Sequence, residues 1–413
     1  MNRYSVKEID QIWSEKNKFY IQYKIEIAAL KQLIELKIIK SSVPKKLKSI
    51  NIKRIKEIEK TVKHETIAFV TYLEETLNNN YIHYGLTSSD VLDTALSIQV
   101  KQSIQILSKY LVNIIDKLNI LSIENYNTLV IGRSHGIHGE PTTFGLLLAG
   151  YKEEFLRAKK KLDAVDASLT GKLSSAMGNN AHFPIEAEIN VLKSFGLNRQ
   201  NFATQVIPRD IYADYFYSLT MIAAAIERFC NLIRHSQRTE INELEEFFDI
   251  NQKGSSAMPH KKNPILSENL CGLSRIVKST LNSSIENCNL WYERDMSHSS
   301  VERYNFPVAT STLAFMLIRF FYILSNLKIN KDKMLNNLNL SKDKFTSQKL
   351  MLLLINKGLS RVDAYKIMQN ISFKSTDSSE LKKFLSEEEI NNCFNLDSLI
   401  QYSKDILIGT NVK

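Results

Sequence analysis

Three stretches of the chain place an apolar residue every three or four positions. Val100, Ile104, Leu107, Leu111, Ile114, Leu118 and Leu121 form the first series. Phe155, Ala158, Leu162, Val165 and Leu169 form the second. Tyr212, Phe216, Leu219, Ile222, Ile226, Phe229 and Ile233 form the third. Each spacing puts one apolar stripe on a helix, and the alternation of threes and fours is the seam of a long bundle. No stretch shows the alternating pattern of strands.

The helix breakers point the same way. There are 13 glycines and 7 prolines in 413 residues, and none in 86–131, 209–253 or 308–357, spans of 46, 45 and 50 residues. They crowd into Gly132–Gly150, Gly171–Pro208 and Gly254–Gly272, and the stretches Gly132–Gly139 and Gly254–Pro264 are expected to be loops. Thr87-Ser88-Ser89-Asp90 supplies hydroxyls and a carboxylate suited to a helix start. A helix from about Ser89 to Leu121 would be roughly 50 Å long at ~1.5 Å per residue. His83 and Thr87 would then sit at one end of the rod and His135 just past the other, so a site using all three must be built between subunits. The pattern predicts an all-α protein in three parts. Residues 1–87 form a mainly helical N-terminal domain, 88–334 a central long-helix bundle with active-site loops, and 335–413 a small C-terminal helical domain. In the last part Gly358 ends one helix and Ser360 caps the next.

Composition narrows the classes. A chain of 413 residues with 44% apolar side chains suits two or three domains. Residues 1–20 are dotted with charge and no run of 18 apolar residues occurs, so a soluble, cytoplasmic chain without a membrane partner is expected. Cys230, Cys271, Cys288 and Cys393 are far apart and form no CxxC pair, which predicts reduced thiols and no zinc site. The net charge of +10 suits either nucleic acid or an anionic substrate. The excess lysine looks spread along the chain and no nucleic-acid motif accompanies it, so a solvated basic surface is expected and no nucleic-acid partner.

Five segments could carry chemistry. In Gly254-Ser255-Ser256-Ala257-Met258-Pro259-His260-Lys261-Lys262-Asn263-Pro264 a glycine lets backbone N–H groups approach an anion and two lysines add positive charge. Serine acts as a base only in such surroundings, and the segment by itself equally describes a basic surface loop. His135 and His138 lie three apart among Gly132, Gly136 and Gly139, open to a metal-pair reading or an acid–base one. His83 stands beside the predicted helix start, where Thr87 and Ser88 could meet a phosphate or simply cap. Trp291–Arg303 holds Arg294, His298, Ser299, Ser300 and Arg303, residues suited to an anion or to a solvated helix face. His64, in Val62-Lys63-His64-Glu65, falls in a helix-compatible stretch.

The wording of these segments adds what composition cannot. GSSAMPHKKNP resembles the signature loop of the aspartase/fumarase superfamily. Tyr81–Asp90 (YIHYGLTSSD), Ile131–Gly145 (IGRSHGIHGEPTTFG), Thr204–Asp210 (TQVIPRD), Glu293–Arg303 (ERDMSHSSVER), Arg3-Tyr4-Ser5, Lys63-His64-Glu65 and KGLSRVDAY resemble its adenylosuccinate lyase branch, in order along nearly the whole chain. The resemblance implies a three-domain, long-helix fold that forms a 20-helix core in a homotetramer, with active sites shared between subunits. It implies β-elimination of fumarate from succinylated purine nucleotides, with no metal or organic cofactor. Ser255 would be the base, with Lys261 and Asn263 holding the substrate carboxylate. His135 would be the general acid, tuned by Glu268, with His138 structural. His64 would bind substrate and assist proton transfer. Arg3, Tyr4, Lys63, Glu65, His83, Thr87, Ser88, Gln205, Ser256, Met258, Lys262, Arg294, Ser299, Ser300 and Arg303 would complete the substrate contacts. The chain departs from the branch in three places: Ser134 stands for threonine, Glu65 for aspartate, and no aspartate follows Pro307.

Overall fold

The apolar stripes become the longest helices. The computed structural model describes residues 2–249, 251–254, 257–341, 344–374 and 378–409. The chain opens with α1 (Lys7–Ile12), α2 (Glu15–Glu35), α3 (Ile52–Val62) and α4 (Glu65–Leu77), followed by α5 (Ser88–Glu124). A hairpin of β1 (Leu129–Ser134) and β2 (Ile137–Thr143) leads into α6 (Phe144–Ser168). Then come β3 (Thr170–Gly171), α7 (Ile185–Ser194), β4 (Asn198–Arg199), α8 (Asp210–Ser236), β5 (Leu244–Glu245), α9 (Ile265–Glu286), α10 (Ser297–Ser325), β6 (Lys328–Ile329) and α11 (Lys331–Asn339). The chain closes with α12 (Ser347–Asn356), α13 (Arg361–Lys374), α14 (Glu387–Cys393), α15 (Leu396–Leu399) and α16 (Ser403–Gly409).

All residues of the three series are buried. α5 covers 37 residues without interruption, about 55 Å at ~1.5 Å per residue. Its start is built as the sequence suggests, because the Asp90 carboxylate accepts the Thr87 N–H at 2.9 Å. Asp90 also pairs with the fully buried Lys172. α8 and α10 are long and apolar enough to cross a membrane by composition, but more than half of each apolar window is buried inside the protein, as core helices are.

Two compact units emerge. The first comprises Met1–Ile114, Phe155–Arg228 and Asn269–Phe321, the second Ile115–Glu154, Phe229–Glu268 and Tyr322–Lys413. In the first, the Phe306 ring of α10 lies 4.8 to 5.9 Å from the rings of Tyr212, Tyr215 and Phe216 on α8. Ser97 and Ser103 of α5 meet the buried hydroxyls of Tyr212 and Tyr215 at 2.9 and 2.7 Å, so these polar atoms are satisfied inside the core. In the second unit, Ile131 of the hairpin packs with Leu338 and Phe345. Leu350, Leu354, Ala364, Met368, Leu381, Leu385 and Cys393 form a small core around α12–α14. Gly358 has φ +98°, and the Ser360 hydroxyl accepts the Asp363 N–H at 3.1 Å, as expected for a helix stop and restart.

Four expectations change. The glycine-rich stretch around His135 is a β-hairpin rather than a loop. Strands are present among the described residues, as three two-stranded pairs. The span 209–253 is helical only to Ser236, where turns through Arg238–Asn242, with Asn242 at φ +48°, stop the helix without glycine or proline. The positive excess is not spread evenly: residues 37–63 hold ten lysines and arginines against two glutamates, a net +8 of the chain's +10. Among the described contacts only Arg54 and Lys56 of that segment have acidic partners.

Candidate active site

The first unit carries most of the residues expected at the nucleotide. His64 is not inside a helix. Lys63, at φ +55°, ends α3, and His64 caps α4 by accepting the Ile67 N–H on Nδ1 at 3.3 Å. Both are exposed. The following Glu65 pairs with Lys18 and, at 3.3 Å, with Arg303, joining two expected residues 238 positions apart. Arg294 reaches Gln205 at 3.5 Å. Tyr4 lies edge-on to Phe315, and its hydroxyl accepts from Asn269 at 3.3 Å. Arg3 is exposed, as is Ser300, while Ser299 is half-buried near the start of α10.

His83 has φ +63°, and its Nδ1 lies 2.6 Å from the buried Glu26 carboxylate. Burial opposes protonation of the ring, but the Glu26 hydrogen bond and charge outweigh it and raise the His83 pKa. The cationic form is therefore favoured just before Thr87 and Ser88, at the N-terminus of α5, where an anion is also favoured.

Arg294, Ser299 and Arg303 open on a cavity of about 190 Å³. Its wall also includes His298, which the sequence offered only as part of an anion-suited run, and Lys18, Asp93, Arg209 and Glu302, to which the sequence reading gave no role. Arg209 sends a bidentate pair to Asp93 at 2.7 and 3.0 Å and lies 2.9 Å from Glu302. One guanidinium cannot serve two buried carboxylates equally. Burial would raise Asp93, but Arg209 overrides it and holds that carboxyl below its ordinary value. For Glu302 burial prevails, pushing it up to about 7. Burial and then Arg209 push His298 down to about 4, so the ring is neutral at physiological pH. The missed residues left a faint trace, since Arg209 lies in TQVIPRD and Glu302 in ERDMSHSSVER. Asp93 is a carboxylate among the apolar residues of α5, which in a buried helix needs a partner.

The second unit carries the residues expected at the succinyl group. Ser255 and Ser256 lie outside the described residues. Around them, Lys261 turns back so that its N–H donates to the Met258 carbonyl at 3.0 Å. A Cβ at Gly254 would stand 2.7 Å from the Pro259 carbonyl oxygen, a close approach open only to glycine. Lys261 and Met258 are exposed and Asn263 is half-buried. Lys262 is engaged with Glu245 at 3.1 Å. Glu268 is exposed in the first turn of α9, whose N-terminus is capped by Glu246, accepting the Leu266 and Ser267 N–H groups at 3.1 and 2.5 Å. Among the described contacts no hydrogen bond joins Glu268 to His135 within the chain. His135 is exposed at the hairpin tip. His138 is half-buried, its Nδ1 2.7 Å from Ser341 Oγ, and burial and then Arg133 lower its pKa. Among the described residues no three His, Cys, Asp or Glu side chains are grouped to hold a metal ion.

Comparison with known proteins gives this arrangement its context. Residues 5–278 match a family model described as lyase. The chain is 41% identical to the adenylosuccinate lyase of Helicobacter pylori (strain ATCC 700392 / 26695), covering 98% of both chains. It is 39% identical to that of Thermotoga maritima over 97% of both, and 40% identical to that of Bacillus subtilis (strain 168) over 95% of both. Among solved structures it resembles a fumarate lyase from Mesorhizobium sp. BNC1, with a TM-score of 0.83 at 19% identity over 98% of this chain and 97% of that one. That likeness speaks for the fold.

Proposed function

This chain belongs to the adenylosuccinate lyase family, and we propose that it cleaves adenylosuccinate to AMP and fumarate, and the succinylated aminoimidazole carboxamide ribotide to its amide and fumarate. The observation that carries this reading is identity near 40% along essentially the full length of relatives bearing that name. The chain's own residues support it. The first unit offers Arg294, Arg303, Lys18 and His83, whose cationic form Glu26 favours, to an anionic nucleotide.

In the proposed chemistry Ser255 takes a proton from the succinyl Cβ. The electron pair left behind spreads onto the adjacent carboxylate, which then bears a second negative charge. Lys261 and Asn263 bind that carboxylate more strongly as its charge develops. The C–N bond breaks as its electrons pass to the purine nitrogen, and His135 delivers a proton there. Proton transfers and charge stabilisation complete the reaction, with Glu268 orienting His135, His64 assisting, and Arg3, Tyr4, Lys63, Glu65, Thr87, Ser88, Gln205, Ser256, Met258, Lys262, Ser299 and Ser300 lining the substrate.

The working form is a homotetramer in the cytoplasm, with each site shared between chains. Supporting this, Val112, Ile120, Ile123, Tyr217, Ile276 and Ile318 on the long helices α5, α8, α9 and α10 leave apolar surface exposed in the single chain. Fumarate formation measured in parallel from adenylosuccinate and argininosuccinate tests the reading. Turnover of the first alone is expected; turnover of argininosuccinate alone would overturn it.

A further inference from the structure

His135 sits in a strained place. It and Gly136 have φ +55° and +80°, and Ser134 pairs with Ile137 across them. This is a two-residue turn with both central residues left-handed, the geometry that matches the twist of the strands. Such backbone is uncommon outside glycine, although histidine adopts it more readily than most residues. The tip offers no support of its own, because His135 is exposed and its side chain makes no hydrogen bond among the described contacts. A lone two-stranded hairpin is marginal in water. Within the chain, the tip is held through its strands.

The flanking residues do this. Arg133 and His138 face each other in the strand register, one on each side of the tip. Arg133 sends Nη1 and Nη2 to the two carboxylate oxygens of Glu243 at 2.9 and 2.7 Å. The Glu243 side chain is 3% exposed and also accepts from Asn337 Nδ2 at 2.9 Å. The Glu243 backbone is held at both ends, its N–H donating to Ser236 and its carbonyl accepting from Asn330, each at 2.9 Å. His138 is tied to Ser341, just beyond α11. The carboxylate is thus a fixed post, and the planar guanidinium fork grips it in one orientation, which a lysine ammonium would not.

We propose that Arg133 and Glu243 are positioning residues for His135, their ion pair setting the height and direction at which the hairpin presents the imidazole. The inference rests on the reading of His135 as the acid. General acid catalysis is steep in geometry: a displacement of about 1 Å can cost roughly a hundredfold in rate.

Full-length Arg133→Lys, the paired variant Arg133→Gln/Glu243→Gln and His135→Ala are compared for kcat, KM and melting temperature with adenylosuccinate as substrate. Arg133→Lys keeps the charge and loses the fork. Its expected effect is about a tenfold lower kcat with KM within about twofold and little change in melting, the signature of a lost transition-state interaction. Should Arg133→Lys fail to fold, the paired variant, which leaves no buried charge unmatched, carries the same expectation. A folded variant with kcat near wild type, or one altered only in KM, overturns the clamp if His135→Ala is inactive. Near-normal turnover by His135→Ala overturns instead the acid assignment on which the clamp depends.

Discussion

At the scale of single residues, the candidate site is governed by which charge finds a partner. Glu26 is buried and its carboxylate meets both the N–H and the Nδ1 of His83. The His83 pKa is raised in the folded chain above an unfolded value of about 6.5. The pair's stabilisation is therefore fully present below the unfolded pKa and is lost as pH rises through the folded one. The melting temperature of wild type should exceed that of His83→Gln most near pH 6 and least near pH 9, the gap narrowing by roughly 1–3 °C. A gap that widens with pH would contradict a favoured imidazolium. Asp93 and Glu302 show the other side of the same physics. Both are buried beside Arg209, yet only Asp93 has its pKa lowered, because it takes the bidentate bonds and the Ile207 N–H as well.

At the scale of elements, the approach to α5 depends on close backbone contact. Gly85 has φ +73°, and a Cβ there would stand 2.1 Å from the His182 carbonyl oxygen. Side-chain adjustment cannot relieve a clash with backbone, and left-handed conformation adds its own penalty. Gly85→Ala should lower the melting temperature by several degrees, consistent with a loss of about 2–4 kcal/mol, and weaken substrate binding through His83 and Thr87. A melting curve that superimposes on wild type would show that the turn can move aside. The His135 hairpin teaches a related point. Its glycines signalled a break in helix, but they did not say whether the break was loop or strand. The strand pairing depends on Arg133 meeting Glu243, 110 residues later, and on Ile131 meeting Leu338. No local period records either contact.

At the scale of the whole molecule, the proposal that base and acid reach a shared site from different chains makes a prediction for mixed subunits. Ser255→Ala and His135→Ala should each reduce kcat by roughly 10²–10⁴ as homotetramers. Mixing the two inactive proteins should restore some activity, because a fraction of sites would combine an intact loop with an intact hairpin. Silence in mixed tetramers verified by mass would count against sites shared in this way. By itself the sequence determined the helical class, the buried faces of α5, α6 and α8, the start of α5 at Thr87–Asp90 and, through its motifs, the lyase family. These are written in residues close together in the chain, as a period of 3.6 or a contiguous string. Only the tertiary structure decided that Glu65 meets Arg303, that Asp93 and Glu302 compete for Arg209, and that Arg133 is gripped by a buried Glu243. Those partners come from distant segments, and an ion pair depends on distance in space and on the water that packing removes, neither of which is a property of sequence spacing.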